Sequence, residues 1–219
     1  MQIEFQLKIG FNFFNASVIT AVTDIYDLRA LNRSGIRSQV LMSKIISLQT
    51  YRNKALEQRS FGPWQKRFGE TYGLQTRLSD LSDKTLYYLA QPGDKSSGAY
   101  YEIIMGALEL GKASKFHYLD NKDQLMVVDI HLFMADQMRF EMMRRLGWLT
   151  GFASEKNTLL EMVLNLDTLK TACKGKPPEL VKSHPEYDAY RRLTDGDKEV
   201  FIRRMLREAL ELFKQRIEK

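Results

Sequence analysis

Residues 3–13 alternate without a break: Ile3, Phe5, Leu7, Ile9, Phe11 and Phe13 are large and apolar, and Glu4, Gln6, Lys8, Gly10 and Asn12 stand between them. A period of two places every large side chain on one face of a pleated ribbon. A lone strand leaves its own N–H and C=O groups unpaired, so such a ribbon needs a second backbone edge. No other feature restricts the fold as much, because most of the remaining chain reads as helix.

From Ala16 to Leu31, apolar residues recur every three or four positions (Val18, Ala21, Val22, Ile25, Leu28), with Asn15 or Ser17 as cap. A second helix is expected from about Ile36 to Arg59, stopped by Phe61-Gly62-Pro63 and succeeded by short turns. Further helices are predicted at 80–90, capped by Ser79 or Ser82, and at 99–110, closed by Gly111 after a loop at 91–98. Residues 132–146 carry Met134, Met138, Met142 and Met143, a soft set that suits an irregular core, before Gly147. Ser154 is read as the cap of a helix with Met162, Leu166, Leu169 and Cys173 on its seam, ended by Gly175 and Pro177-Pro178. A short helix at 186–193 and a last one at about 197–217, opened by the Thr194-x-x-Asp197 pattern, complete the chain. In the last helix Arg204 with Glu208 and Arg207 with Glu211 have the spacing of ion pairs.

Between these helices the period changes. Residues 115–119, the turn formers Asp120-Asn121-Lys122-Asp123 and residues 124–130 read as a β-hairpin, the rival being one long helix reaching Trp148. A three-residue loop puts Phe116 and Tyr118 on one face with Met126, Val128 and Ile130, and leaves His117, Asp129 and His131 on the other. The ribbon at 3–13 can then add a third strand to the hairpin, or pair with a second copy across a twofold axis.

Composition excludes several classes. With 44% hydrophobic and 27% charged residues in 219, the chain has the balance of a folded protein rather than a disordered tail. Its one cysteine rules out an intrachain disulfide framework and fits a reducing compartment. No apolar run is long and uncharged enough for a membrane span or leader, so a cytoplasmic location is expected. The net charge of +6 is matched by residues 29–59 alone, where seven cations face one acid, Glu57. On a helix from Ile36, Arg37, Lys44, Arg52 and Arg59 fall within an arc of roughly 80°. With Tyr51 beside them they form a candidate face for nucleic acid or an acidic partner; the competing reading is long stems lying along a core rim.

Two imidazoles and a carboxylate at His117, Asp129 and His131 are a chemically suitable metal set, conditional on the hairpin register. The G-x-x-x-x-G interval at Gly93–Gly98 is succeeded by Ala99 and Tyr100 rather than Lys and Ser or Thr, so it reads as a surface loop and no nucleotide is assigned. No histidine lies three residues after a glutamate, which removes the di-iron bundle pattern, and Cys173 belongs to an apolar seam rather than a cationic niche.

The expected fold is α+β and mainly α: a helical domain with a small antiparallel sheet made by the N-terminal strand and the hairpin near 115–130. The alternative is an all-α fold with a lone N-terminal strand pairing across a dimer. The expected organisation is a domain at 1–175 with a C-terminal helical extension at 179–219. The function expected is a cytoplasmic, non-catalytic binding or regulatory protein that acts through protein contacts, with self-association through the strand and no cofactor. Nucleic-acid binding by the basic helix at about 36–59 is the alternative.

Overall fold

Leu48–Phe68 form one helix, α1, in the computed structural model, which describes residues 48–219. The expected strand at 3–13, the helix at 16–31 and the first part of the basic helix lie outside the described residues. The expected stop at Phe61-Gly62-Pro63 does not occur: Pro63 sits inside α1. A mid-helix proline costs about 3 kcal/mol, chiefly because the carbonyl four residues back, here that of Arg59, loses its partner. Tertiary burial outweighs this. Phe61 and Trp64 on either side of Pro63 are 0% exposed, and the Trp64 indole donates to the Ala99 carbonyl at 2.7 Å.

The next helix, α2 (Asp83–Ala90), starts where Ser82 accepts from the Thr85 N–H, after a single 3₁₀ turn at Leu78–Asp80. Helix α3 (Asp94–Ala107) begins five residues before the expected start, directly after Gly93, so most of the supposed loop is helical. It packs along α1, and Gly106 permits the approach. A Cβ there would lie 2.8 Å from the Arg59 carbonyl carbon and 3.0 Å from Ser60 Cα.

The hairpin at 115–130 is absent. Residues Ala113–Tyr118 make a 3₁₀ helix, and α4 (Asn121–Arg145) then runs for 25 residues. The turn formers act as a helix start: the Asp120 carboxylate accepts from the Asp123 N–H at 2.8 Å, and the Gln124 side chain donates to the Leu119 carbonyl. The apparent alternation of Met126, Val128 and Ile130 loses to the helical stripe of Val127, Ile130, Met134 and Met138, all 2% exposed or less. Helix α4 is the central element, contacted by α2, α3 and the later helices, and Met134, Met138, Met142 and Met143 are all buried in it.

Instead of the hairpin, a two-stranded antiparallel sheet joins β1 (Leu149–Gly151) to β2 (Glu179–Leu180), with Leu149 opposite Leu180. Between them, α5 (Leu159–Leu164) is capped by Thr158 and not by Ser154, and α6 (Leu166–Cys173) comes after a break at Asn165, where one helix was expected. Ser154 is buried and donates to the Gln137 side chain on α4. After α7 (Tyr187–Tyr190), Thr194 accepts from the Asp197 N–H to start α8 (Asp195–Arg204), and Met205 separates it from α9 (Leu206–Ile217). The ion pairs of this segment are not the expected Arg204–Glu208 and Arg207–Glu211: Lys198 pairs with Asp195 and Arg203 with Glu199 inside α8, while Arg203 reaches Asp136 at 2.7 Å and Arg216 reaches Asp83 at 3.1 Å.

The described residues are therefore mostly helical with one small antiparallel sheet, around an apolar core that extends from Phe61 through Met138 to Phe213. Glu141 lies within it at 1% exposure, bonded to Arg144 and Arg145. Arg145 also reaches Asp83 and the Leu78 carbonyl, tying α4 to the start of α2. Among the described residues no helix is long and apolar enough to cross a membrane.

Candidate binding groove

The side of α4 turned away from α2 and α3 carries Leu125, Asp129, Leu132 and Asp136, spaced three or four apart on one helical face. Leu125 is 70% exposed and Leu132 57%. Asp129, Leu132 and Asp136 of this stripe, but not Leu125, stand across a cleft of about 800 Å³ from the end of α6, the turn after it and α8. Its floor is Phe140 from α4 and Phe152 from the loop after β1, ring centroids 5.9 Å apart. That loop is held by the buried Ser154–Gln137 bond, which fixes Phe152 against α4.

The walls are joined by charge. Lys170 of α6 meets Asp129 at 2.5 Å, and Arg203 of α8 meets both Asp136 and Glu199 at 2.7 Å; Arg139 adds a second contact to Asp136 at 3.1 Å. Past Phe152, Ala153, Gly175 and Lys176 the cleft continues into a second lobe of about 580 Å³ beside β1, β2 and α8. There Lys198 bonds Asp195 at 3.0 Å and lies over the Tyr190 ring. The two lobes make one groove, lined by aromatic rings and crossed by ion pairs.

Cys173 lines the larger lobe, half-buried. Burial pushes its thiol above the ordinary cysteine value, opposed by the charge of Lys176 and reinforced by that of Glu199, so it stays protonated at neutral pH.

The other candidates fall elsewhere. Tyr51 and Arg52 are exposed on α1, as is Lys54, while Arg59 is bonded to Glu109 at 2.6 Å. Arg37 and Lys44 lie outside the described residues. The shared face of His117, Asp129 and His131 disappears with the hairpin. His117 is on the 3₁₀ helix, Asp129 is bonded to Lys170 on the groove side, and His131, two residues on and so on another face of α4, packs between the rings of Tyr100 and Tyr101. Burial, and then the charge of Arg139, lower the His131 pKa. Among the described residues no group of three or more His, Cys, Asp or Glu side chains could hold a metal ion.

The groove residues carried a partial signal. Lys170, Lys174 and Lys176 are close in sequence around Gly175, and Asp129 and Asp136 are seven apart, one helical face once α4 is read as a single helix. Gln137 and Ser154, which set the floor, carry none. Compared with family models, curated proteins and solved structures, the chain matches none of them.

Proposed function

We propose that the chain is a non-catalytic binding protein that acts through contacts with another protein, received in the groove between α4, α6 and α8. The observation that carries this reading is an open cleft of about 800 Å³ lined by the exposed Leu132 and the half-buried Phe133 of α4, with the buried Phe140 and Phe152 beneath. Scattered exposed leucines are ordinary, but Leu132 at 57% exposure beside Phe133 in the wall of a cleft is an apolar feature of the kind found at contact surfaces. The wall charges are already satisfied by one another, so the groove's shape is set before any partner arrives, which lowers the ordering cost of binding.

The test is selection of short random peptides on the immobilised full chain, with fluorescence anisotropy of the selected sequences. Binding to the wild type and its loss in Leu132→Gln, an exposed position where the fold is retained, supports the reading. Failure to select any peptide, or equal binding by the variant, refutes it. Self-association through residues 3–13 belongs to the same proposal. Light-scattering masses of the intact chain and of a version lacking residues 1–13 decide it, equal masses removing it.

A second reading, nucleic-acid binding, is favoured by the exposed Tyr51, Arg52 and Lys54 on α1. It requires retention on single-stranded DNA or RNA that weakens steeply with salt and is abolished by Lys44→Glu with Arg52→Glu. Retention that is absent or indifferent to salt excludes it.

A further inference from the structure

Helix α1 enters the core only by its second half. No residue from Leu48 to Arg59 is buried, and the buried side chains of the helix are Ser60, Phe61 and Trp64. On a helix of 3.6 residues per turn, the side opposite those three holds Leu48, Tyr51, Arg52, Ala55, Arg59 and Lys66 within an arc of about 100°. Leu48 is 62% exposed and Tyr51 68%. From Tyr51 to Lys66 this outer face is about 22 Å long.

Its charge is one-sided even when the carboxylates that reach α1 are counted. The helix has five cations, Arg52, Lys54, Arg59, Lys66 and Arg67, against one acid of its own, Glu57, and two carboxylates that come to it from α3. Glu109 holds Arg59 at 2.6 Å, and Glu102 holds Arg67. Glu57 is on the side of Phe61 and Trp64, half-buried, with its carboxylate against Gly73. That leaves Arg52, Lys54 and Lys66, which are exposed and join no ion pair among the described residues. Arg52 and Lys66 stand on the outer face, one seven-residue step to either side of Arg59.

Cations in a row attract any polyanion, but apolar surface set among them narrows the choice. A phosphate backbone makes no use of Leu48 or of the Tyr51 ring, whereas an unpaired base has a flat face to lay on them. In a duplex the bases are stacked on one another and meet a protein by their edges. We infer that the outer face of α1 takes a single strand of nucleic acid, its phosphates on Arg52, Arg59 and Lys66 and a base stacked on Tyr51. The inference rests on the nucleic-acid reading above and adds the form of nucleic acid that is bound. Because Arg59 shares its guanidinium with Glu109, Arg52 and Lys66 carry most of the salt dependence, and Tyr51 carries the choice of unpaired bases.

Fluorescence anisotropy of the full chain with labelled oligothymidine, and with a duplex of equal length, tests it over a salt series. The single strand should bind the more tightly of the two. Arg52→Gln with Lys66→Gln removes two phosphate contacts and should lower the slope of log affinity against log salt by about 1.4. Tyr51→Ala, at an exposed position, should weaken oligothymidine about tenfold and leave both the slope and the duplex affinity unchanged. A duplex bound as tightly as the single strand, or oligothymidine binding that ignores Tyr51→Ala, overturns the inference while the nucleic-acid reading stands. Polyglutamate that displaces oligothymidine at equal charge overturns it too, since the face then answers to any polyanion. Binding of neither nucleic acid overturns both.

Discussion

Gly106→Ala inserts one methyl group at the closest approach of two helices, and the structure fixes both its sign and its rough size. The new Cβ would lie 2.8 Å from the Arg59 carbonyl carbon and closer still to its oxygen, with Ser60 Cα at 3.0 Å, whereas ordinary contact begins at 3.4 Å. All of these neighbours are backbone atoms of α1, which cannot swing aside as a side chain does; the carbonyl carbon alone requires about 0.6 Å of separation between α1 and α3, and the closer oxygen raises this to about 1 Å. A gap of that order forfeits a quarter to a half of the dispersion energy of each atom pair across the seam, and overpacking of this kind costs about 1–3 kcal/mol. Alanine's better helix propensity returns at most about 1 kcal/mol, and less at Gly106, next to the last residue of α3. The expected net loss is about 2 kcal/mol, a fall in Tm of about 4–8 °C for a chain of this size. Gly98→Ala is the control within the same helix: a Cβ there meets nothing within 4 Å, and the same substitution should stabilise by about 0.5–1 kcal/mol. Urea unfolding monitored by far-UV circular dichroism reads both as shifts in midpoint at constant slope. A Gly106→Ala protein as stable as the wild type, or a Gly98→Ala protein that falls equally, refutes the packing argument.

Glu141→Gln leaves the Arg144 and Arg145 guanidiniums without their shared buried carboxylate, and urea unfolding should show a loss of about 3 kcal/mol. Asp120→Ala removes the cap of α4 and should cost about 1 kcal/mol, with hydrogen exchange accelerated over the first turn and unchanged beyond Ile130; uniform exchange along the helix would contradict the cap. His131 is held below the ordinary histidine pKa, first by burial and then by Arg139, so the folded state favours the neutral ring. Its contribution is complete above the ordinary value of 6.5 and is lost as pH falls through the depressed folded-state value. Thermal melts should therefore show wild-type stability declining more steeply with acid than that of His131→Phe. Cys173 should react with a maleimide more slowly than a free thiol at neutral pH and gain rate above the ordinary cysteine pKa.

Helix ends governed by one side chain were legible in the sequence. Ser82 and Thr194 cap where their spacing indicated, and Gly147 and Gly175 come just after α4 and α6 with positive φ. Decisions settled by tertiary burial were not. Pro63 is a valid stop signal on local grounds, overridden by Phe61 and Trp64 going fully into the core. Asp120-Asn121-Lys122-Asp123 serves equally as a turn or a helix start. What selects the helix is the burial of Val127, Ile130 and Met134 against elements distant in sequence, which no window of a dozen residues contains. The misreading of 115–130 carried the metal set with it, since His117, Asp129 and His131 shared a face only in that register. The groove was hidden for the same reason: its stripe on α4 exists only if residues 121–145 are one helix.

A chain rich in charge can present the same residues as struts or as contacts, and the groove separates the two roles by geometry. Helix α4 packs on α2 and α3, and Asp129–Lys170 and Asp136–Arg203 link it to α6 and α8, whose Leu166, Leu169 and Ile202 also enter the core. Pairs of long polar side chains keep backbones farther apart than interlocking leucines do, and a cleft stays open above Phe140 and Phe152, which are themselves 5% and 8% exposed. The bonded charges line this space and, being mutually satisfied, have little left for a partner. Lys174 and Lys176 join no wall to another, and losing their charge would remove nothing that holds the channel open.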